Sequence, residues 1–146
     1  MDYYLIQPEV AGQLGDKSRL RYENGRIKEV LFLEYKMYGW QGDELLRTHP
    51  CLIVTESLRN DILKQKLTGV KFRKMLLTVS EEFYELYGDV KFPNFVEMIC
   101  ENSYEKNLNS LKYDFYYNEY KQLIVSEKAL DVIKQHKIDM SVIEKI

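Results

Sequence analysis

The chain has 146 residues, of which 45% are hydrophobic and 30% charged, which is typical of an ordinary folded protein and not of a disordered one. Lysine and arginine number 21 against 23 acidic residues, so charge gives no reason to expect nucleic-acid binding or docking on an anionic membrane. One domain over 1–146 is expected at this length, with a core that needs no disulfide or metal.

The sequence also predicts a cytoplasmic location. No apolar run approaches the ~18 residues that a membrane span needs, and the early acid Asp2 does not fit a signal peptide. Cys51 and Cys100 are the only cysteines, and they lie outside any C-x-x-C spacing. We expect two buried thiols in a reducing compartment.

The N-terminal part, residues 1–48, is predicted to be rich in strands and hairpins. A first strand covers 3–6, and the polar segment 12–21 is expected to be a loop. Asn24-Gly25 predicts a hairpin, because both central positions of a type I′ turn need positive φ. A strand follows over 30–37, then a two-glycine loop at 39–43, and Asp43 to Leu46 is expected to start a short helical turn.

Three similar phrases, at 52–56, 77–81 and 123–127, each predict a buried strand that leads directly into a helix. Their hydroxyl residues Thr55, Ser80 and Ser126 are predicted helix N-caps, and the glutamate after each lies at the positive end of the helix dipole. The helices are expected over about 56–66, 81–87 and 127–136. Their predicted buried residues are Leu58, Ile62 and Leu63, then Phe83, Leu86 and Tyr87, then Ala129, Leu130 and Ile133.

The remaining segments complete the predicted architecture. Strands are expected over 70–79 and 95–100, a long exposed loop over 101–110, a hairpin over 113–125, and a tail over 138–146 that packs on the core. The segments 52–67 and 123–138 align at a constant offset of 71, which indicates either internal pseudo-symmetry or convergence on a capped junction. The fold class is therefore α+β, a single domain with a mixed or antiparallel sheet and three short helices, the strand–helix units occupying 51–138.

The residues that could carry chemistry give no catalytic or metal-binding pattern. His49 and His136 are the only histidines and are read as structural, so we expect neither a zinc site nor a cofactor. No phosphate loop, dinucleotide fingerprint or nucleophile elbow is present. We therefore predict no catalytic residues.

Several groups instead suggest recognition. Glu81, Glu82 and Glu85 form either a solvated helix face or an acidic patch for a basic partner. Lys64, Lys66, Lys71, Arg73 and Lys74 are read as a helix end and the outer face of a strand. Trp40 is either a lid on the core or a binding anchor. In the aromatic strand 113–120, alternation places Tyr116 opposite Phe115, and Tyr116 and Tyr120 are candidates for outward display.

The text GDELL at 42–46, LIVTESL at 52–58, LTGVKF at 67–72 and LIVSEKAL at 123–130 resembles a known family. These are the small cytosolic immunity proteins encoded beside bacterial polymorphic toxins, formerly grouped as a domain of unknown function. The resemblance spans roughly 40–138 and involves structural junctions. It implies a protein that binds a cognate toxin domain and blocks it, and no catalytic residue is transferred with it.

Three hypotheses follow: a toxin-neutralising binding protein, an enzyme with an unfamiliar site around Trp40, Asp43, Glu44 and His49, and an adaptor or regulatory domain. For the first, the predicted partner-binding residues are Trp40, Asp43, Tyr116, Asn118 and Tyr120, with Glu81, Glu82 and Glu85 as a second patch. The expected partner is a toxin protein, neither nucleic acid nor membrane, and the sequence leaves the oligomeric state open.

Overall fold

The computed structural model describes residues 2–105 and 111–146. Within them the chain forms thirteen strands and three helices. In chain order these are β1 (Tyr3–Gln7), β2 (Gly12–Leu14), β3 (Arg19–Glu23), β4 (Arg26–Phe32), β5 (Glu34–Met37), β6 (Leu45–Thr48), β7 (Cys51–Thr55), α1 (Glu56–Lys64), β8 (Val70–Arg73), β9 (Leu76–Val79), α2 (Glu81–Tyr87), β10 (Phe95–Cys100), β11 (Phe115–Tyr117), β12 (Leu123–Ser126), α3 (Glu127–Ile133) and β13 (Val142–Lys145). The predicted α+β class is confirmed.

Two four-stranded sheets form the centre of the fold, and they have the same topology. The first has the order β6-β7-β10-β8 and the second β11-β12-β1-β13, with every pairing antiparallel. Three strands of each sheet come from one segment of the chain, in which a β-hairpin is followed by a helix and then by the third strand. The fourth strand of each sheet comes from elsewhere in the chain. That inserted strand, β10 or β1, lies between the two strands that flank the helix.

The registers of the two sheets agree residue by residue. Thr55 pairs with Phe95 where Ser126 pairs with Tyr3, and Phe72 pairs with Met98 where Ile143 pairs with Ile6. Positions 55 and 126 differ by 71, as do 72 and 143, so the offset seen in the sequence extends through the last strand of each unit. The predicted internal similarity is therefore a structural equivalence.

The two helices meet between the sheets, and the main core lies there. The inner sides of β7 and β12 contribute Leu52, Val54, Leu123 and Val125, which pack with Leu58, Ile62, Leu130 and Ile133 from α1 and α3. All of these side chains are buried. Leu63, which was predicted to join them, is exposed, because only positions 58 and 62 of α1 face the partner helix.

All three predicted helix caps are confirmed. The hydroxyls of Thr55, Ser80 and Ser126 accept hydrogen bonds from the N–H groups of Leu58, Phe83 and Ala129 at 3.2, 3.0 and 3.1 Å. Each cap residue has extended backbone angles, as an N-cap requires. The predicted Asn24-Gly25 turn is also confirmed, with positive φ at both positions between β3 and β4.

A second layer covers part of the outer face of the first sheet. It contains the three-stranded sheet β2-β5-β9, the β3–β4 hairpin and α2. Leu33, Tyr35, Met37 and Phe83 from this layer pack with Leu46, Ile53 and Phe95 of the sheet. The Tyr35 hydroxyl fixes the layer in place, because it accepts from the N–H of Ala11 at 3.0 Å and donates to the carbonyl of Arg47 at 2.9 Å.

Three predictions about elements are wrong. Residues 12–21 contain β2 and the start of β3 instead of a loop, and Leu45 belongs to a strand instead of a helical turn. The single strand expected over 70–79 is divided into β8 and β9, which belong to different sheets. The C-terminal tail packs on the core through Ile138 and Ile143, as expected, and it also contains β13, which pairs with β1. The partners of β2 and β13 are distant in sequence, so local pattern does not reveal them, whereas β6 pairs with the next strand, β7.

Candidate functional site

Helix α2 presents most of its side chains to solvent. Phe83 is its one buried residue, and the Phe83 ring lies 5.7 Å from the ring of Phe92, which in turn lies 5.1 Å from Trp40. The Ser80 hydroxyl fixes the start of the helix, and Gly88 ends it with a positive φ of 66°. These aromatic contacts hold α2 against the rest of the protein.

The exposed side of α2 combines acids with large apolar groups. Tyr84, Leu86 and Tyr87 are 55%, 74% and 59% exposed. Glu81, Glu82 and Glu85 are exposed as well, and among the described residues none of the three forms an ion pair. We call these six residues the α2 surface. Several large exposed apolar groups beside charges are typical of a protein-binding surface.

Leu86 and Tyr87 correct the sequence prediction, which placed both in the core with Phe83. Their spacing from Phe83 is that of one helix face, but the helix covers only the edge of the aromatic cluster, so the face continues past the protein into solvent. Sequence periodicity therefore identified the apolar face of α2 correctly, but it overestimated how much of that face is buried.

Trp40 lies mainly against the core. Its ring is half-buried and packs 5.1 Å from the ring of Phe92 and 6.2 Å from that of Phe95, and its Nε1 donates to the carbonyl of Asp43 at 2.9 Å. These contacts favour the interpretation of Trp40 as a residue that covers the core over its interpretation as a partner-binding residue. Part of the indole is accessible to solvent.

Asp43 is fully buried, which the prediction of a contact residue did not anticipate. Its Oδ2 accepts from the N–H of Met140 at 2.8 Å, and its Oδ1 has no partner among the described residues. Burial raises the pKa of this carboxyl, and the neighbouring Asp139 raises it further. Because it lies inside the folded chain, Asp43 cannot touch a partner without rearrangement.

The residues of the enzyme hypothesis do not converge on one site. Glu44 accepts from the Thr55 hydroxyl at 2.7 Å and lies 3.0 Å from His136 Nδ1, whose Nε2 lies 2.6 Å from Asp61. His49 instead lies 3.3 Å from Arg47. Asp43 and Glu44 thus both contact the segment 136–140, through Met140 and through His136 with Lys137, whereas His49 lies beside Arg47 and joins neither of them.

Tyr116 is also buried, so the prediction that it is displayed outward is wrong. It is 4% exposed, and its ring lies 5.8 to 5.9 Å from the rings of Tyr3, Tyr104 and Tyr113. Its hydroxyl accepts from the N–H groups of Lys112 and Tyr113, both at 2.9 Å. Alternation placed it correctly opposite Phe115, but both faces of β11 are covered.

The turn after β11 agrees better with the prediction. The Asn118 side chain accepts from the N–H groups of Tyr120 and Gln122, both at 2.9 Å, which fixes a tight turn. Tyr120 is 66% exposed at its tip. The long loop predicted over 101–110 lies partly outside the described residues.

Cys51 is buried, as predicted, whereas Cys100 is only half-buried. Burial raises the pKa of Cys100 to about 12, and burial with the nearby Glu97 raises that of Cys51 as well. Across residues 2–105 and 111–146, no cluster of three ligating side chains could hold a metal ion. Over the same ranges, no helix has the length and apolar character to cross a membrane.

Neither a scan against protein-family models nor a search of the curated proteins finds a match to this chain.

Proposed function

We propose that the chain is a binding protein that neutralises a cognate toxin domain by direct contact, with the α2 surface as the principal contact. The proposal rests on the sequence resemblance to polymorphic-toxin immunity proteins. The α2 surface is the observation that carries it to a specific region of the molecule, because it joins exposed apolar groups to carboxylates that have no ion-pair partner in the described residues.

The chemistry of this surface defines the partner's face. Tyrosine and leucine side chains supply contact area, and tyrosine does so at low entropic cost. Three carboxylates on two turns of helix favour a partner with lysine and arginine around an apolar depression. Trp40, Asn118 and Tyr120 remain secondary candidates, while Asp43 and Tyr116 support the fold from inside.

Co-expression with the product of the adjacent upstream gene tests the proposal. We expect the chain to relieve that product's toxicity and to co-purify with it. Absence of both rescue and co-purification would rule out the proposed function, and a stable complex with a partner that is not toxic would favour the adaptor hypothesis.

Charge reversal tests the surface itself. Glu82→Lys with Glu85→Lys should weaken toxin binding at least about tenfold, because two favourable contacts become repulsive. The matched control, Asp131→Lys with Glu144→Lys, changes net charge equally at exposed positions away from α2 and should leave affinity nearly unchanged. Equal losses in the two double variants would mean that α2 is not the contact. Circular dichroism checks that both remain folded.

A further inference from the structure

Two hairpin turns, one from each central sheet, lie side by side. One joins β6 to β7 and the other joins β11 to β12, so they occupy equivalent places in the two sheets. Arg47 connects them, because its Nη2 lies 3.3 Å from His49 Nδ1 in the first turn and 3.4 Å from the carbonyl oxygen of Tyr120 in the second. Residues from both sheets therefore meet at this point.

The side chains that meet there are basic. A guanidinium can only donate hydrogen bonds, so His49 Nδ1 accepts from Arg47, and the proton of the neutral ring lies on Nε2. Lys121, in the second turn, holds its ammonium 4.2 Å over the ring of Tyr117. We call Arg47, His49 and Lys121 the basic cluster.

The described residues leave the charge of the basic cluster unbalanced. Among them, neither Arg47 nor Lys121 has a carboxylate within ion-pair distance, Glu119 of the second turn included. Partial burial lowers the pKa of His49, and so do the charges of Arg47 and Lys121, both of which are positive. The cluster thus presents donors and positive charge to an anion.

An open cleft of about 660 Å³ adjoins the basic cluster. Arg47 and Gln122, the neighbour of Lys121, both line it. Its other walls combine amides with exposed apolar groups, and they include Gln7, Gln41, Val10, Met140 and Val142. A cleft of this volume, lined by apolar groups and a few polar ones, is typical of a small-molecule site.

Glu9 supplies a second observation that points to a ligand. It also lines the cleft, yet it is only 8% exposed. Its Oε2 accepts from the N–H of Gln41 at 2.8 Å, whereas its Oε1 is buried without a partner among the described residues. Because a buried acceptor without a donor is costly, a ligand hydroxyl that donates to Oε1 would be favoured.

We propose that the cleft binds a small hydroxylated phosphate monoester, with its phosphate on the basic cluster and one hydroxyl donating to Glu9. Guanidinium, imidazole and ammonium donors together suit the three oxygens of a phosphate group. His49 and Lys121 are exposed, so the charged end of the ligand stays in contact with solvent. This inference is independent of the α2 surface and of the identity of the toxin.

Nuclear magnetic resonance of His49 tests the phosphate end, with inorganic phosphate as the probe. We expect a saturable shift of the His49 Hε1 signal and a higher pKa of the imidazole, because bound phosphate offsets the charges of Arg47 and Lys121. Sodium chloride at equal ionic strength is the control for screening. Equal shifts in phosphate and chloride, or tighter binding of acetate than of phosphate, would overturn the proposal.

Ribose 5-phosphate tests the rest of the cleft. It should bind at least about tenfold more tightly than inorganic phosphate, because hydrogen bonds from its hydroxyls add to those of the phosphate. Equal affinities for the two probes would refute the cleft as the place of the organic part.

A matched pair of variants tests the residues. Lys121→Gln should weaken the binding of both probes about tenfold, because one charge-assisted contact is lost. Lys64→Gln removes the same charge at an exposed position of α1 and should leave both affinities nearly unchanged. Equal weakening by the two variants would refute the basic cluster as the site. The Glu82→Lys with Glu85→Lys variant should bind both probes like wild type, which separates this inference from the proposed function.

Discussion

Replacing Ser126 by alanine should destabilise the protein more than replacing Ser80, although both residues cap a helix in the same way. The Ser80 hydroxyl accepts from the N–H of Phe83. The Ser126 hydroxyl accepts from Ala129 and also donates to the Asp114 carboxylate at 2.7 Å. The difference between the two variants therefore measures the second hydrogen bond.

The expected magnitudes follow from these contacts. Loss of a cap costs about 1 kcal/mol, which is the prediction for Ser80→Ala. A hydrogen bond to a charged group adds about 1.5 to 3 kcal/mol. Because Asp114 keeps its bonds from the N–H and hydroxyl of Thr68, we expect the lower end of that range. Ser126→Ala should therefore cost about 2.5 kcal/mol in total.

Urea unfolding followed by circular dichroism measures both variants. Thr55→Ala supplies an internal check, because the Thr55 hydroxyl donates to Glu44 at 2.7 Å in the equivalent place, so its cost should approach that of Ser126→Ala. A cycle combining Ser126→Ala with Asp114→Asn isolates the coupling between the two side chains. If Ser126→Ala costs no more than Ser80→Ala, the hydrogen bond to Asp114 contributes nothing and the reasoning fails.

Three other predictions follow from the buried polar groups. Tyr116→Phe should lower the free energy of unfolding by about 1 kcal/mol, because two backbone N–H groups lose their acceptor; urea unfolding that matches wild type would contradict this. Burial opposes ionisation of Glu44, but hydrogen bonds from Thr55, the Lys137 N–H and His136 outweigh it and lower its pKa. Its contribution to stability is therefore complete above the unfolded-state pKa and is lost as pH falls through the lower folded-state value. Glu44→Gln should therefore weaken the decrease in the free energy of unfolding as pH falls below 4.5, and an unchanged pH dependence would exclude this role. Because burial raises the pKa of Cys51, this thiol should react with a thiol reagent at neutral pH much more slowly in the folded protein than in the unfolded chain; equal rates in the two states would contradict its burial.

Sequence reasoning succeeded where structure is decided locally. Thr55, Ser80 and Ser126 cap their helices because a hydroxyl beside a first-turn N–H needs no distant partner. Asn24 and Gly25 form their turn for a similar reason, since the required φ values are a property of the residues themselves. The α+β class followed from these junctions.

It failed where contacts with another element decide the outcome. Residues 45–48 carry a pattern compatible with a helical turn, but pairing with the next strand, β7, fixes them as a strand. Residues 142–145 become a strand because β1 lies beside them. Tyr116 is buried by Tyr3 and Tyr104, and Leu86 is exposed because none of the described residues covers its side of α2. Sequence reasoning thus proposed the acidic residues of the α2 surface as partner-binding residues, but it assigned the apolar residues Leu86 and Tyr87 to the core.

The insertion of β1 between two strands from the other end of the chain has a consequence for how the chain folds. β1 pairs with β12 and β13 near the other end of the chain, while β10 lies between β7 and β8. The first sheet lies wholly within residues 45–100, but the second sheet cannot be completed by the segment that contributes most of it, because its β1 comes from the other end of the chain. During synthesis β1 cannot pair until β12 and β13, which lie much later in the chain, have been made. Such distant pairing predicts slow folding and a long-lived exposed edge, at which a chaperone would bind the nascent chain.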